Sequence, residues 1–208
     1  MNLLAHALIA YHSLPDFSGQ AVTGALMADY FKGQDLADYP EGIRVGILQH
    51  KAVDAFTDSH PEFVKVRSLI ANSGAERLCS GILADIFFDH ILASRWDKYG
   101  RPYCLHSLYA FSRTIYEKLE SSKNYHSPRF AIASQFITSQ SWFEKYASID
   151  GIEDTLKGVQ SRMSGNVDLV SSVKLLDSLG AEIEKVFSVF WPALLAFSRN
   201  WASQLEGQ

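Results

Sequence analysis

The stretch Ile82-Leu83-Ala84-Asp85-Ile86-Phe87-Phe88-Asp89-His90-Ile91-Leu92 sets two aspartates, four residues apart, inside an otherwise apolar run. An α-helix turns once in about 3.6 residues, so Asp85 and Asp89 share one face. Ile82, Ile86, Leu92 and Trp96 fall on the same side, which directs both carboxylates toward a core. The alternation of a half-buried strand is scarce here and elsewhere in the chain. The run therefore predicts an apolar helix over about 75–99, and the whole sequence reads as an all-α protein.

Working outward, apolar residues recur at spacings of three and four. Helices are expected at about 2–11 and from a Ser18 cap to Phe31, ended by Lys32-Gly33-Gln34. Another is expected at 41–57, opened by Pro40. Ser59-His60-Pro61-Glu62 has capping-box spacing and starts a helix that stops near Asn72-Ser73-Gly74. Gly100-Arg101-Pro102 reads as a loop. Further helices follow at about 104–121, 128–146 and 152–164, the last with Asp150 and Glu153 as its cap. A final helical stretch spans 168–204, where Gly180 can split it and Pro192 should kink it. No repeat or long linker divides the chain, so residues 1–208 read as one domain with a C-terminal helical extension. The aromatics of the second half, among them Phe136, Trp142, Phe143, Phe187, Phe190, Trp191 and Trp201, read mainly as packing.

Composition narrows the function classes. Of 208 residues, 47% are hydrophobic and 20% charged, enough for a sizeable core. The net charge of −4 argues against a nucleic-acid binder. Cys79 and Cys104 form no CxxC pair, so a zinc ribbon or redox motif is unsupported. The apolar start, residues 3–11, lacks a basic region and is broken by His6, so it reads poorly as a signal peptide. No apolar run reaches the roughly 18 residues of a membrane span. The expected compartment is the cytoplasm, with no membrane or nucleic-acid partner.

The pattern of the 75–99 helix recurs on its neighbours. His50 and Asp54 are four apart beside Ile43 and Ile47, with Asp58 one turn on. Asp29 shares a side with Val22 and Leu26, and His6 lies beside Leu3 and Ala10. Each residue alone has an ordinary reading as a satisfied core or surface group. Together, successive helices each turn an ionisable group inward, and two carboxylates on one face repel when both are ionised. Lys51 and Arg95 point elsewhere by the same helical count. A divalent cation resolves the conflict, and carboxylates with imidazoles suit manganese, iron, zinc or magnesium. Such an ion neutralises phosphoryl charge and activates water for ester hydrolysis. The chain has no G-x-S-x-G elbow, no Walker A loop, no H-E-x-x-H and no paired E-x-x-H.

Four segments carry a resemblance. Met1-Asn2-Leu3-Leu4-Ala5-His6 resembles the MNxLAH start of the acyl-carrier-protein phosphodiesterases. Gly24-Ala25-Leu26-Met27-Ala28-Asp29-Tyr30-Phe31-Lys32-Gly33 is similar to their GNxxxDfxxG segment, with Ala25 replacing asparagine. Residues 46–58, running from Gly46 through His50 and Asp54 to Asp58, resemble GixxHrxiDxxTD. Asp85-Ile86-Phe87-Phe88-Asp89-His90-Ile91-Leu92 resembles DxxxDHfL. The resemblance implies an all-α fold distantly like HD-domain phosphohydrolases. It implies hydrolysis, with manganese or magnesium, of the phosphodiester joining 4′-phosphopantetheine to a serine of holo acyl carrier protein. It assigns Asp29, His50, Asp54 and Asp85 to the metal centre, with His6 and Asp89 as further ligands or as partners of the ligands. It makes Asn2 and Asp58 supporting groups and brings Lys51 to the phosphate.

On this reading Asp29, His50, Asp54 and Asp89 form the catalytic set, with Asp89 or His90 assisting proton transfer. Lys51, Arg95 and Asn2 are expected to contact substrate, and Arg95, Lys98 and Arg101 form a candidate patch for an acidic carrier protein. Two other readings stand beside it. One is an HD-like phosphohydrolase acting on a nucleotide or other small phosphoester. The other is a non-catalytic metal-binding helical protein, which acids salt-bridged to lysine or arginine would favour.

Overall fold

The computed structural model describes residues 1–14, 17–31, 35–74, 77–163 and 167–205. Among them every regular element is helical. The helices are α1 (Leu3–Ser13), α2 (Ser18–Met27), α3 (Glu41–Ser59), α4 (Pro61–Asn72), α5 (Ser80–Ser94), α6 (Trp96–Tyr99), α7 (Arg101–Cys104), α8 (Leu108–Ser121), α9 (Pro128–Ser139), α10 (Trp142–Lys145), α11 (Ile149–Gln160) and α12 (Leu175–Ser203). None is long and apolar enough to cross a membrane. The Lys32-Gly33-Gln34 stop, the helix start expected at about residue 75 and the end expected at about residue 164 lie outside the described residues.

α5 is buried on most of its surface, with Leu83, Ala84, Ile86, Phe87, Phe88, Asp89 and Leu92 at most 1% exposed. A helix apolar nearly all round belongs in the middle of a bundle. α1, α4 and α12 surround it. α12 runs unbroken through Gly180 and Pro192, so the expected split at Gly180 does not occur. Its Phe187, Phe190 and Trp191 enter the main core, and the Trp191 indole donates to the Tyr99 carbonyl at 2.9 Å.

Local chemistry sets several helix ends differently from expectation. His60, not Ser59, caps α4, and its Nδ1 accepts from the Glu62 amide at 3.3 Å. Ser59 turns back to the carbonyls of Ala55 and Phe56. Gly74, at φ +89°, follows α4 as the left-handed exit predicted. The Gly100-Arg101-Pro102 segment is not a loop but opens the short helix α7, with proline in its first turn. The helix expected over 128–146 breaks at Ser141, which has φ +48°, and α10 is a separate turn. Ser148 caps α11, in place of Asp150.

α2 and α3 cross with almost no space between their backbones. A Cβ on Gly24 would stand 2.2 Å from the Ile43 carbonyl oxygen, and one on Gly46 2.1 Å from that of Ala21. Ala25, 1% exposed, lies at the same contact. This crossing sets the end of α2, and therefore Asp29, against the middle of α3. Gly46→Ala should force the helices apart and destabilise the protein by about 1–3 kcal/mol, read as a lower urea midpoint with the helical spectrum retained.

Candidate metal centre

Four elements bring five ionisable side chains to one patch. His6 comes from α1, Asp29 from the 3-10 turn Ala28–Tyr30 after α2, His50 and Asp54 from α3, and Asp85 from α5. Asp54 is the hub. Its carboxylate lies 3.1 Å from His6 Nε2, 3.0 Å from His50 Nε2 and 3.4 Å from the amino group of Met1. Asp29 Oδ1 is 3.3 Å from His50 Nε2, and Asp85 Oδ1 is 3.1 Å from the same amino group. The two imidazoles stack with centroids 3.8 Å apart.

The site has a buried floor and an open rim. His6 and His50 are 2% and 4% exposed. The side chains of Asp85, Asp54 and Asp29 are 31%, 38% and 68% exposed. This corrects the expectation that Asp85 and Asp89 both face the core. α5 emerges from the bundle toward Ile82, which is 36% exposed, so Asp85 reaches the surface while Asp89 stays at 0%.

Burial disfavours charge on either histidine. For His6 it prevails, and with His50 nearby the pKa falls to about 4. For His50 the contacts with Asp29 and Asp54 outweigh burial and raise it to about 9. Of the stacked pair, His50 is the one whose protonated form its carboxylate neighbours favour. Burial works against the Asp54 carboxylate too, but the two histidines and the Met1 amino group hold its pKa well below the usual range. Burial pushes Asp85 upward, opposed by the amino group and reinforced by Asp54 and Asp58.

These groups fit a divalent cation. His6, His50 and Asp54 each offer a ligand atom, and the three atoms lie within 4.8 Å of one another. His50 is close to two carboxylates, yet neither of its ring nitrogens makes an aligned hydrogen bond, and neither does Asp85 Oδ1. Among the described residues no lysine or arginine pairs with Asp29, Asp54 or Asp85. Buried, unaligned nitrogen and oxygen donors around one point are compatible with a divalent cation.

Other expected site residues have different surroundings. Asp89 was expected to act in catalysis, but both its oxygens are committed to the start of α1. They accept from the amides of Leu4 at 2.8 Å and Ala5 at 3.1 Å. Burial raises its pKa to about 7 against those bonds. Its employment is to position α1. Asn2 accepts from the Leu3 amide as the helix cap and lines a groove beside Asp29. Lys51 and Asp58 are exposed. His90 turns away and holds the Tyr146 carbonyl at 2.8 Å. Arg95, expected at substrate, lies ten residues beyond Asp85, about 15 Å along the helix. It is spent, like Lys98, on Glu184 of α12. Arg101 pairs with Asp97, so the proposed basic patch is largely neutralised.

The residues lining the groove, among them Arg129, Lys145 and Arg162, were not singled out from sequence. Phe136, read from sequence as packing, instead lines this groove at 59% exposure.

Comparison with known proteins follows the same lines. Residues 1–194 match the family described as acyl carrier protein phosphodiesterase. A protein of that name from Photorhabdus laumondii is 32% identical, over 96% of each chain. One from Yersinia pestis is 30% identical, over 94% of this chain and 96% of the relative. One from Klebsiella pneumoniae is 29% identical, over 96% and 98%. No solved structure matches, so the HD-domain likeness remains an expectation from the resemblance.

Two outcomes are expected. Asp89→Ala leaves two amides at the start of α1 without acceptors and should cost about 3 kcal/mol, measured by chemical denaturation. Divalent-ion affinity should rise from pH 6.5 to 9, by at most about tenfold per unit, because a ligating His50 must lose a proton it holds up to about 9. Titration calorimetry at several pH values reads this directly.

Proposed function

The chain belongs to the acyl carrier protein phosphodiesterase family, and on that premise we propose that it is a metal-dependent hydrolase acting on holo acyl carrier protein in the cytoplasm. It cleaves the phosphodiester between 4′-phosphopantetheine and the carrier serine. Water adds to phosphorus, the bond from phosphorus to the serine oxygen breaks, and that oxygen leaves with a proton. The products are apo acyl carrier protein and 4′-phosphopantetheine.

The observation that supports this is the convergence of His6, His50 and Asp54 on a floor rimmed by Asp29 and Asp85. His6, His50 and Asp54 would hold the cation, Mn2+ or Mg2+, with Asp29 and Asp85 completing its shell. When bound, the ion lowers the pKa of a coordinated water and screens the phosphoryl charge. The chain's own residues prepare the site. Asp54 anchors both imidazoles. Asp29, the most exposed of these acids, faces the arriving diester, and His50 holds its pKa below the usual carboxylate range. Lys51 offers an exposed positive charge next to His50 for the phosphate. Asp89 fixes α1 so that His6 stays in register. Residues 1–208 act as one unit, because the main hydrophobic cluster draws on side chains from Met1 to Leu195.

The test is conversion of holo to apo carrier protein followed by mass spectrometry with Mn2+, beside a panel of nucleotides. Release from the carrier alone is expected. Asp29→Ala and Asp54→Ala should each lower turnover by about 100-fold or more, roughly 2.7 kcal/mol of barrier, with circular dichroism unchanged. Turnover of nucleotides but not of holo carrier protein would reject the substrate.

A further inference from the structure

A groove of about 990 Å³ runs from the candidate metal centre across the second half of the chain. Asn2 and Asp29 line one part of it, and Asp29 also touches His50. The remaining walls come from α9, α10, α11 and the turn after α11. On α9, Arg129, Ile132 and Phe136 recur at helical spacing, so they share a face. Ile132 and Phe136 are 62% and 59% exposed, although both are apolar. Trp142, Val159 and Gly158 line the same groove.

The groove is mostly apolar, and its charged lining residues are Arg129, Lys145 and Arg162 together with Asp29 and Asp154. Arg129 takes part in no ion pair among the described residues, and Arg162 meets only the Gly158 carbonyl, at 3.0 Å. Lys145 is 3.8 Å from Asp154, which Lys157 also approaches. Arg129 and Arg162 therefore remain available, in contrast to Arg95, Lys98 and Arg101. Exposed apolar side chains in a concave site of this volume are the usual lining of a small-molecule pocket.

We infer that this groove holds the phosphopantetheine arm of the substrate while its phosphate lies at the metal centre, an assignment that rests on the proposed function. The match is chemical. The arm is a long, narrow, largely neutral chain with a dimethyl branch, two amides and a thiol, joined to an anionic phosphate. The branch and methylenes fit against Ile132, Phe136 and Val159. Gln140 offers a polar group for the amides. Arg129 and Arg162 complement the phosphate and draw the anionic end toward Asp29 and its cation. Continuity of the groove with the centre places arm and scissile bond in one channel. The groove thereby becomes the specificity determinant, selecting diesters that carry a pantetheine-like chain.

The test uses the full chain loaded with Mn2+. Affinity for 4′-phosphopantetheine is measured by calorimetry, and KM and kcat with holo acyl carrier protein. Gly158→Trp fills the groove, since a Cβ there meets only Trp142, at 3.8 Å. Phe136→Ser removes an exposed wall and leaves the core untouched. Each should weaken phosphopantetheine by about tenfold and raise KM more than it lowers kcat. Unchanged affinity and KM in Phe136→Ser, with its melting curve intact, would overturn the groove while leaving the activity in place. A wild type that binds phosphopantetheine but never releases it from the carrier would do the reverse. A wild type with no affinity for phosphopantetheine also removes the groove assignment. So does a dimer that Phe136→Ser converts to monomer, which would give the face to a second copy.

Discussion

A single buried carboxylate holds the N-terminal helix in register. Asp89 is fully enclosed, and both its oxygens accept amides from the first turn of α1. A helix begins with four amides that lack internal partners. Asn2 takes one of these and Asp89 takes two more. The helix dipole favours negative charge at that end, which offsets part of the cost of burying the acid. The bond pattern has direction as well as energy. It sets the rotation of α1 about its own axis, and His6 lies on that helix one residue after Ala5.

The second constraint is the close crossing of α2 and α3. Gly24 and Gly46 let carbonyl oxygens approach to distances at which a Cβ could not fit. Together the two fasteners bring a histidine and an aspartate from opposite sides onto the His50–Asp54 pair. The result is an excess of acids over a pair of imidazoles. That charge arrangement is uncomfortable without a cation and well suited to one.

The divide between floor and rim extends into the rest of the bundle. The imidazoles rest on the core, whereas the carboxylates open toward the surface, and Asp29 among them lines the groove of α9–α11. The second half of the chain therefore does more than pack. Most of its aromatics do fill the core, including Phe143, Phe187, Phe190 and Trp191. Phe136 breaks with them because it shares the outward face of α9 with Ile132, whereas Phe130 and Ile137 of the same helix turn into the core.

Much of this was legible from residue spacing. The i, i+4 pairs His50–Asp54 and Asp85–Asp89, the apolar character of α5 and the Gly74 exit all follow from helical geometry and local backbone preference. These are properties of a few neighbouring residues, so a sequence states them directly. It could not show that Asp89 serves the amides of Leu4 and Ala5, more than eighty positions away. Nor could it show that Glu184 pairs with both Arg95 and Lys98, or that Arg129 lines a groove with no ion pair among the described residues. Those outcomes depend on which helix faces meet, and that is set by packing between segments far apart in the chain. Periodicity gives each helix its inward side; contact between helices chooses what that side encounters.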